Sequence, residues 1–139
     1  MVINEISCKI NSLQKDHYII QFISEDFALI SGLLEVNVKK ITKSFSKKYN
    51  CILSNNKIFN LIVSKEQCQK VSYDSIKQAF SEMRTILLNR DLIDIIDKNK
   101  IAVPEYGIGF ENINWEIVKD IISDLFFDTN LEITFVKNE

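Results

Sequence analysis

The run Tyr18-Ile19-Ile20-Gln21-Phe22-Ile23 constrains this chain more than any other stretch. It is too short for a typical helix and lacks the apolar-polar alternation of a half-exposed strand. It reads as a strand buried on both faces, which requires elements packed on both sides of its sheet. The flanking sequence supplies strands and helices in alternation. Residues 2–10 are rich in β-branched side chains and predict a first strand. Residues 51–54 and 57–63 predict two short strands joined at Asn55-Asn56, because Asn tolerates the positive φ of a tight hairpin. Ile76, Ala79, Phe80, Met83, Ile86 and Leu87 fall at helical spacing and predict a helix over 74–90. Leu29, Leu33, Val36 and Ile41 predict another from Leu29 to about Lys48. Ile101-Ala102-Val103 is a short buried strand ended by Pro104, which cannot donate to a sheet ladder.

A second clear helix is predicted over 115–127. Asn114 is its N-cap, Glu116 complements the helix dipole, and Ile117, Val118, Ile121, Ile122, Leu125 and Phe126 form its apolar face. Residues 131–136 close the chain as an alternating strand. The pattern predicts an α/β fold with a mixed, mostly parallel sheet and helices on both faces. At 139 residues the chain fits one domain, 1–139, with no repeat or linker.

Composition narrows the function. A formal net charge of −2 argues against a general nucleic-acid binder. The pairs Lys39-Lys40 and Lys47-Lys48 read as a solvated helix face. No apolar run approaches the ~18–20 residues that span a bilayer, and the start Met1-Val2-Ile3-Asn4-Glu5 has no signal-peptide pattern. Cys8, Cys51 and Cys68 are odd in number and lack CxxC spacing, so reduced thiols and a cytoplasmic location are expected. With His17 the sole histidine, no zinc or other metal site is expected, nor a cofactor. Glu25-Asp26 is an acidic pair without a third ligand nearby and reads as solvated loop residues.

The chain has three glycines: Gly32, Gly107 and Gly109. Gly107 and Gly109 frame the turn between the buried strand ending at Pro104 and the helix beginning at Trp115. In open α/β sheets, ligands bind outside the carboxyl ends of strands. Glycine lets the backbone approach a phosphate, and free amides cradle its charge. Gly32 follows a strand's carboxyl end in the same way. Mere turn chemistry is the plainer reading of each.

The stretch Ile101-Ala102-Val103-Pro104-Glu105-Tyr106-Gly107-Ile108-Gly109-Phe110-Glu111-Asn112-Ile113-Asn114-Trp115-Glu116 resembles the macro-domain signature. That signature is a strand ending in Pro, a Gly-x-Gly loop, an acidic residue and a Trp-Glu helix start. Residues 127–134 continue the likeness. Ile23-Ser24-Glu25-Asp26 resembles the corresponding segment of the branch holding the terminal ADP-ribose protein glycohydrolase and the antitoxin domains that remove ADP-ribose from DNA. The resemblance implies a three-layer α/β/α fold that binds ADP-ribose or a related nucleotide. It implies that Gly107, Ile108, Gly109 and Phe110 line the diphosphate and distal ribose. It sets Ser31 and Gly32 in the opposing loop and Ser24 near the ligand.

Other positions depart from the family. Cys8 and Lys9 stand where a Gly-Asp pair reads adenine, and a lysine cannot accept that hydrogen bond. The nucleophilic lysine of the glycohydrolase branch falls on Ser64, with Lys65 one residue later. One residue of shift turns a strand side chain to the opposite face, so Lys65 reaches the site only if the strand ends or bulges there. Glu111 takes the place of the assisting aspartate. Lys65 and Glu111 are therefore the candidate catalytic pair. The expectation is a divergent binding module with little or no turnover. The alternatives are a glycohydrolase acting on ADP-ribosylated protein or DNA, a protein sequestering a nucleotide immune signal, and a degenerate domain used only for protein contacts. Trp115 is expected to pack beneath the loop, while Phe110 suits ligand and core equally.

Overall fold

The computed structural model describes residues 1–25, 29–31, 50–54, 57–65, 69–89, 100–107 and 109–137, with the backbone path alone for 29–31 and 89. The strands are β1 (Val2–Ser7), β2 (Tyr18–Ser24), β3 (Leu29–Ser31), β4 (Cys51–Ser54), β5 (Ile58–Ser64), β6 (Lys100–Pro104) and β7 (Glu132–Lys137). The helices are α1 (Tyr73–Asn89) and α2 (Trp115–Phe126). One mixed sheet runs in the order β1-β7-β6-β2-β5-β4, with β3 added to β2. The five strands from β1 to β5 in that order are parallel, so Ser7, Lys137, Pro104, Ser24 and Ser64 all end at one edge. β4 returns antiparallel against β5.

The continuous apolar run became β2, and every one of its residues from Ile19 to Ser24 is buried. The face formed by Ile20 and Phe22 packs against α1 and α2 in one core with Phe59, Leu61, Val103 and Phe135. Alternate residues face the other way, where Ile19, Ile58, Ala102 and Val136 gather with Ile10. On that second face Gln21 donates to Asn60 Oδ1 (2.8 Å), and Asn60 donates to Ser54 Oγ (2.9 Å) and to the Ile52 carbonyl (3.0 Å). A fully satisfied polar chain inside a sheet helps fix strand register, because a slip would strand each group without water.

Two predicted boundaries differ from the structure. The first strand stops at Ser7, and Ile10–Leu13 is a 3₁₀ turn closed by Ser12, whose amide and hydroxyl both donate to the Lys9 carbonyl. That turn swings Ile10 into the second-face core. The predicted helix does not start at Leu29, since Leu29–Ser31 is a strand paired antiparallel with β2. β-Pairing with the exposed edge of β2 outweighs the helical spacing of its leucines. The remainder of that helix, with Gly32, lies outside the described residues, as do Asn55-Asn56, Asp26 and Ile108.

Register also shows how the sheet opens. β5 occupies one edge of β2 along Ile19–Ser24. β6 takes the other edge only at Tyr18 and Ile19, and β3 takes it at Phe22 and Ile23. The carboxyl halves of β2 and β6 are thus unpaired with each other, and β3 lies at the fork between them.

Candidate functional site: a cleft at the carboxyl edge of the sheet

Ile23 pairs with Ile62, but Ser24 pairs with Ser64. Val63 is the extra residue of a bulge, which bends β5 and re-aims the residues after it. β5 then ends at Ser64, whose carbonyl accepts from the Glu25 amide (2.8 Å). The strand therefore both bulges and ends just before Lys65, the condition on which the sequence argument for this lysine rested. Lys65 is exposed and lines a cleft of about 500 Å³. Glu25, Asn50, Ser64, Gln69 and Lys70 share that lining, with Ser72 and Ser75 at the start of α1. Ser72 caps this helix: its hydroxyl accepts from the Ser75 amide (3.1 Å).

The glycine loop packs against the segment from Gln69 to Val71, whose first residue lines the cleft. Gly107 has φ +149° and Gly109 φ +88°, both in territory that side chains avoid. At Gly109 a Cβ would lie 2.3 Å from the Gln69 carbonyl oxygen, and the Gly109 carbonyl accepts from the Val71 amide (2.9 Å). Gly109 is thus required for chain-to-chain contact as well as for its turn. Its amide donates to Glu111 Oε1 (3.3 Å), so this loop already holds a carboxylate. Farther on, the Asn114 amide donates to the Tyr73 hydroxyl (2.8 Å), a second tie between the loop and α1.

The aromatic residues around the loop belong to the core. Phe110 is 4% exposed and stacks on Trp115 at 5.2 Å and 8°. Phe22 lies 5.0 Å from Phe110 and Phe135 lies 6.4 Å from Trp115. The Phe110 ring is thereby packed in the core, and its amide donates to the Gly107 carbonyl (3.3 Å) while its carbonyl accepts from the Ile113 amide (3.0 Å). Trp115 packs under the loop as expected. Asn114 caps α2 by accepting from the Glu116 amide (3.0 Å). Ile117 departs from its predicted apolar face and is exposed.

Ser24 is fully buried at the end of β2, beneath the cleft, and Ser31 pairs with Phe22 in β3. The structure thus brings Ser24, Ser64 and Lys65 to one place, and Gly107, Gly109, Phe110 and Glu111 to another. Gln69 to Val71 joins the two. Sequence reasoning missed Gln69, Ser72 and Asn50. A Ser-x-x-Ser spacing ahead of the helix was the legible signal for Ser72; nothing in sequence marks Gln69.

On the far side of the loop, Glu105 Oε2 is sealed from solvent and has no hydrogen-bond partner among the described residues. Burial pushes this carboxyl above its ordinary range, against the pull of Lys137, and Glu116 adds to the push. Lys119 nearby pairs with Glu5 and Glu116 and lies 5.3 Å from the Phe135 ring centre; burial lowers its pKa, and Lys137 adds to that. Among the described residues no group of three His, Cys, Asp or Glu side chains gathers at metal-binding range, and no helix is long and apolar enough to cross a membrane.

No protein-family model matches the chain. Solved structures do. It superposes on the macrodomain of Mycobacterium tuberculosis DarG with a TM-score of 0.62 at 13% identity, covering 97% of each chain. The Thermus aquaticus DarG macrodomain gives 0.61 at 11% identity, again over 97% of each. Thermosipho africanus DarTG in complex with ADP-ribose gives 0.53 at 12% identity, over 96% of this chain and 41% of that one. The fold is therefore the macrodomain fold. Among curated sequences, the ADP-ribose glycohydrolase OARD1 of Bos taurus is 27% identical over 77 residues, and that of Homo sapiens 26% over 77. The matched stretch is 55% of this chain and spans about half the relative's length, 47%.

Proposed function

We propose that this chain is a macrodomain that binds ADP-ribose or a closely related nucleotide. The observation that carries the reading is the cleft at the carboxyl edge of β2 and β5, with Lys65 in its wall and Gln69, which touches Gly109, in its lining. Ligands of open α/β sheets bind outside the carboxyl ends of the strands, the edge at which this cleft opens. The Gly109 amide on Glu111 fits a loop suited to anions. The likeness to a structure holding ADP-ribose, and to relatives named as ADP-ribose glycohydrolases, supports the ligand class. Isothermal calorimetry with ADP-ribose tests it. Binding is expected, and no heat at millimolar ligand overturns the proposal.

One observation favours turnover as a second reading. The bulge at Val63 and the end of β5 put Lys65 in the cleft wall, although the family lysine aligns with Ser64. In this reading the Lys65 nitrogen attacks the anomeric carbon of the distal ribose as its bond to the modified residue breaks, Glu111 passes the proton to that leaving group, and water then releases ADP-ribose from the lysine adduct. Release of ADP-ribose from modified protein or DNA is the assay. Lys65→Ala is expected to abolish release while binding persists; full activity in that variant removes Lys65 from the nucleophile's role.

A further inference from the structure

We infer that Gln69 is a positioning residue that couples the glycine loop to Lys65. The inference rests on the proposed place of Lys65 in the ligand site. Two contacts converge on Gln69, and a third lies beside it. Its backbone carbonyl lies where only a glycine at 109 leaves room, 2.3 Å from the Cβ position. Two residues on, the Val71 amide is tied to the Gly109 carbonyl at 2.9 Å, which holds the segment against the loop. Its side-chain Oε1 accepts from the Lys65 amide at 3.2 Å. Gln69 and Lys65 also line the same cleft.

The hydrogen bond closes the start of the connection between β5 and α1 into a small ring. Lys65 follows a strand end and a bulge, so no sheet partner orders its amide from beyond Ser64. Gln69 supplies that order from the side of the glycine loop. The Asn114–Tyr73 bond makes the clamp two-point, so a shift of the loop carries the 69–73 segment with it. A diphosphate held by the glycine loop would then bear on Lys65 through Gln69. Ligand binding and lysine placement become one event.

The test uses the full chain, ¹⁵N-labelled, with Gln69→Met, Gln69→Glu and Gly109→Ala. Methionine keeps the length and removes the acceptor; glutamate keeps an acceptor. Hydrogen exchange of the Lys65 amide is expected to rise about fivefold in Gln69→Met and to return to the wild-type rate in Gln69→Glu. A purely bulk-packing role would not give that rescue. Unchanged exchange in Gln69→Met overturns the tether. Gly109→Ala is expected to shift the Lys65 resonance along with those of residues 69–71. A shift confined to 69–71 overturns the coupling; if that variant does not fold, the Gln69 pair decides. ADP-ribose added to wild type is expected to move the Lys65 amide, and less so in Gln69→Met. Absence of any ADP-ribose response in wild type strikes the proposed ligand, whereas the exchange results without ligand judge Gln69 independently.

Discussion

At the scale of single residues, Gly109 carries two demands that no other residue type meets. A side chain there faces both a left-handed φ of +88° and the Gln69 carbonyl at 2.3 Å. Gly109→Ala is expected to cost about 2–4 kcal/mol, from backbone strain plus the displaced neighbour, as read by urea denaturation. A cost under about 0.5 kcal/mol would mean that the two segments part freely. Glu105 is the opposite case, a residue whose native form is unfavourable. Its folded pKa lies above the ordinary 4.5, so ionisation at neutral pH destabilises the fold, and that penalty is relieved as pH falls through the raised value toward 4.5. Glu105→Gln is therefore expected to melt higher than wild type at pH 7, with the gap closing below about pH 4.5. A gap independent of pH would trace to packing instead. The glycines were legible in sequence because they are scarce. Their reason was only half legible, since contact with Gln69 depends on a segment about forty positions away.

At the scale of elements, α1 and α2 are pinned at their far ends by Arg84. Its guanidinium donates to both carboxylate oxygens of Asp128 at 2.8 Å and to the Leu125 carbonyl at 2.7 Å. The bond from Arg84 holds the Asp128 carboxyl below its ordinary 3.8, outweighing a small opposing effect of burial, and the charge of Arg84 adds to it. A depressed carboxyl stabilises the folded state above 3.8 and loses that contribution as pH falls through the lowered value. Asp128→Asn is expected to melt below wild type at pH 6, with the difference shrinking as pH falls below 3.8; persistence of the gap in acid would exclude the ion pair as its cause. Both helices and most strands were legible because apolar period reports burial directly. β3 was not. Leu29-Ile30-Ser31 is too short to show a period, and its partner is the edge that β6 leaves free at Phe22. The bulge at Val63 was likewise hidden: consecutive buried residues Ile62 and Val63 read as an unbroken strand whatever the register.

At the scale of the whole molecule, a ligand seated at the carboxyl edge touches loops from separate strands and should stabilise all of them together. ADP-ribose at about one hundred times its dissociation constant is expected to add about 2.7 kcal/mol and to raise the melting temperature as one transition. A transition that splits would show that the cleft unfolds apart from the rest. A mixed α/β sheet was legible from the alternation of strands and helices, and the macrodomain fold from the resemblance carried by the stretch around the glycine loop. The cleft was not, because its wall comes from β5, the connection after it and the first turn of α1. The sheet also has a temporal side. Among the described residues β1 pairs only with β7, Val2 against Glu132 and Ser7 against Lys137. During synthesis β1 must wait for β7, about 130 positions later in the chain, before it can dock. Until then its backbone N–H and C=O groups lack their β7 partners, and the nascent chain is at its most adhesive.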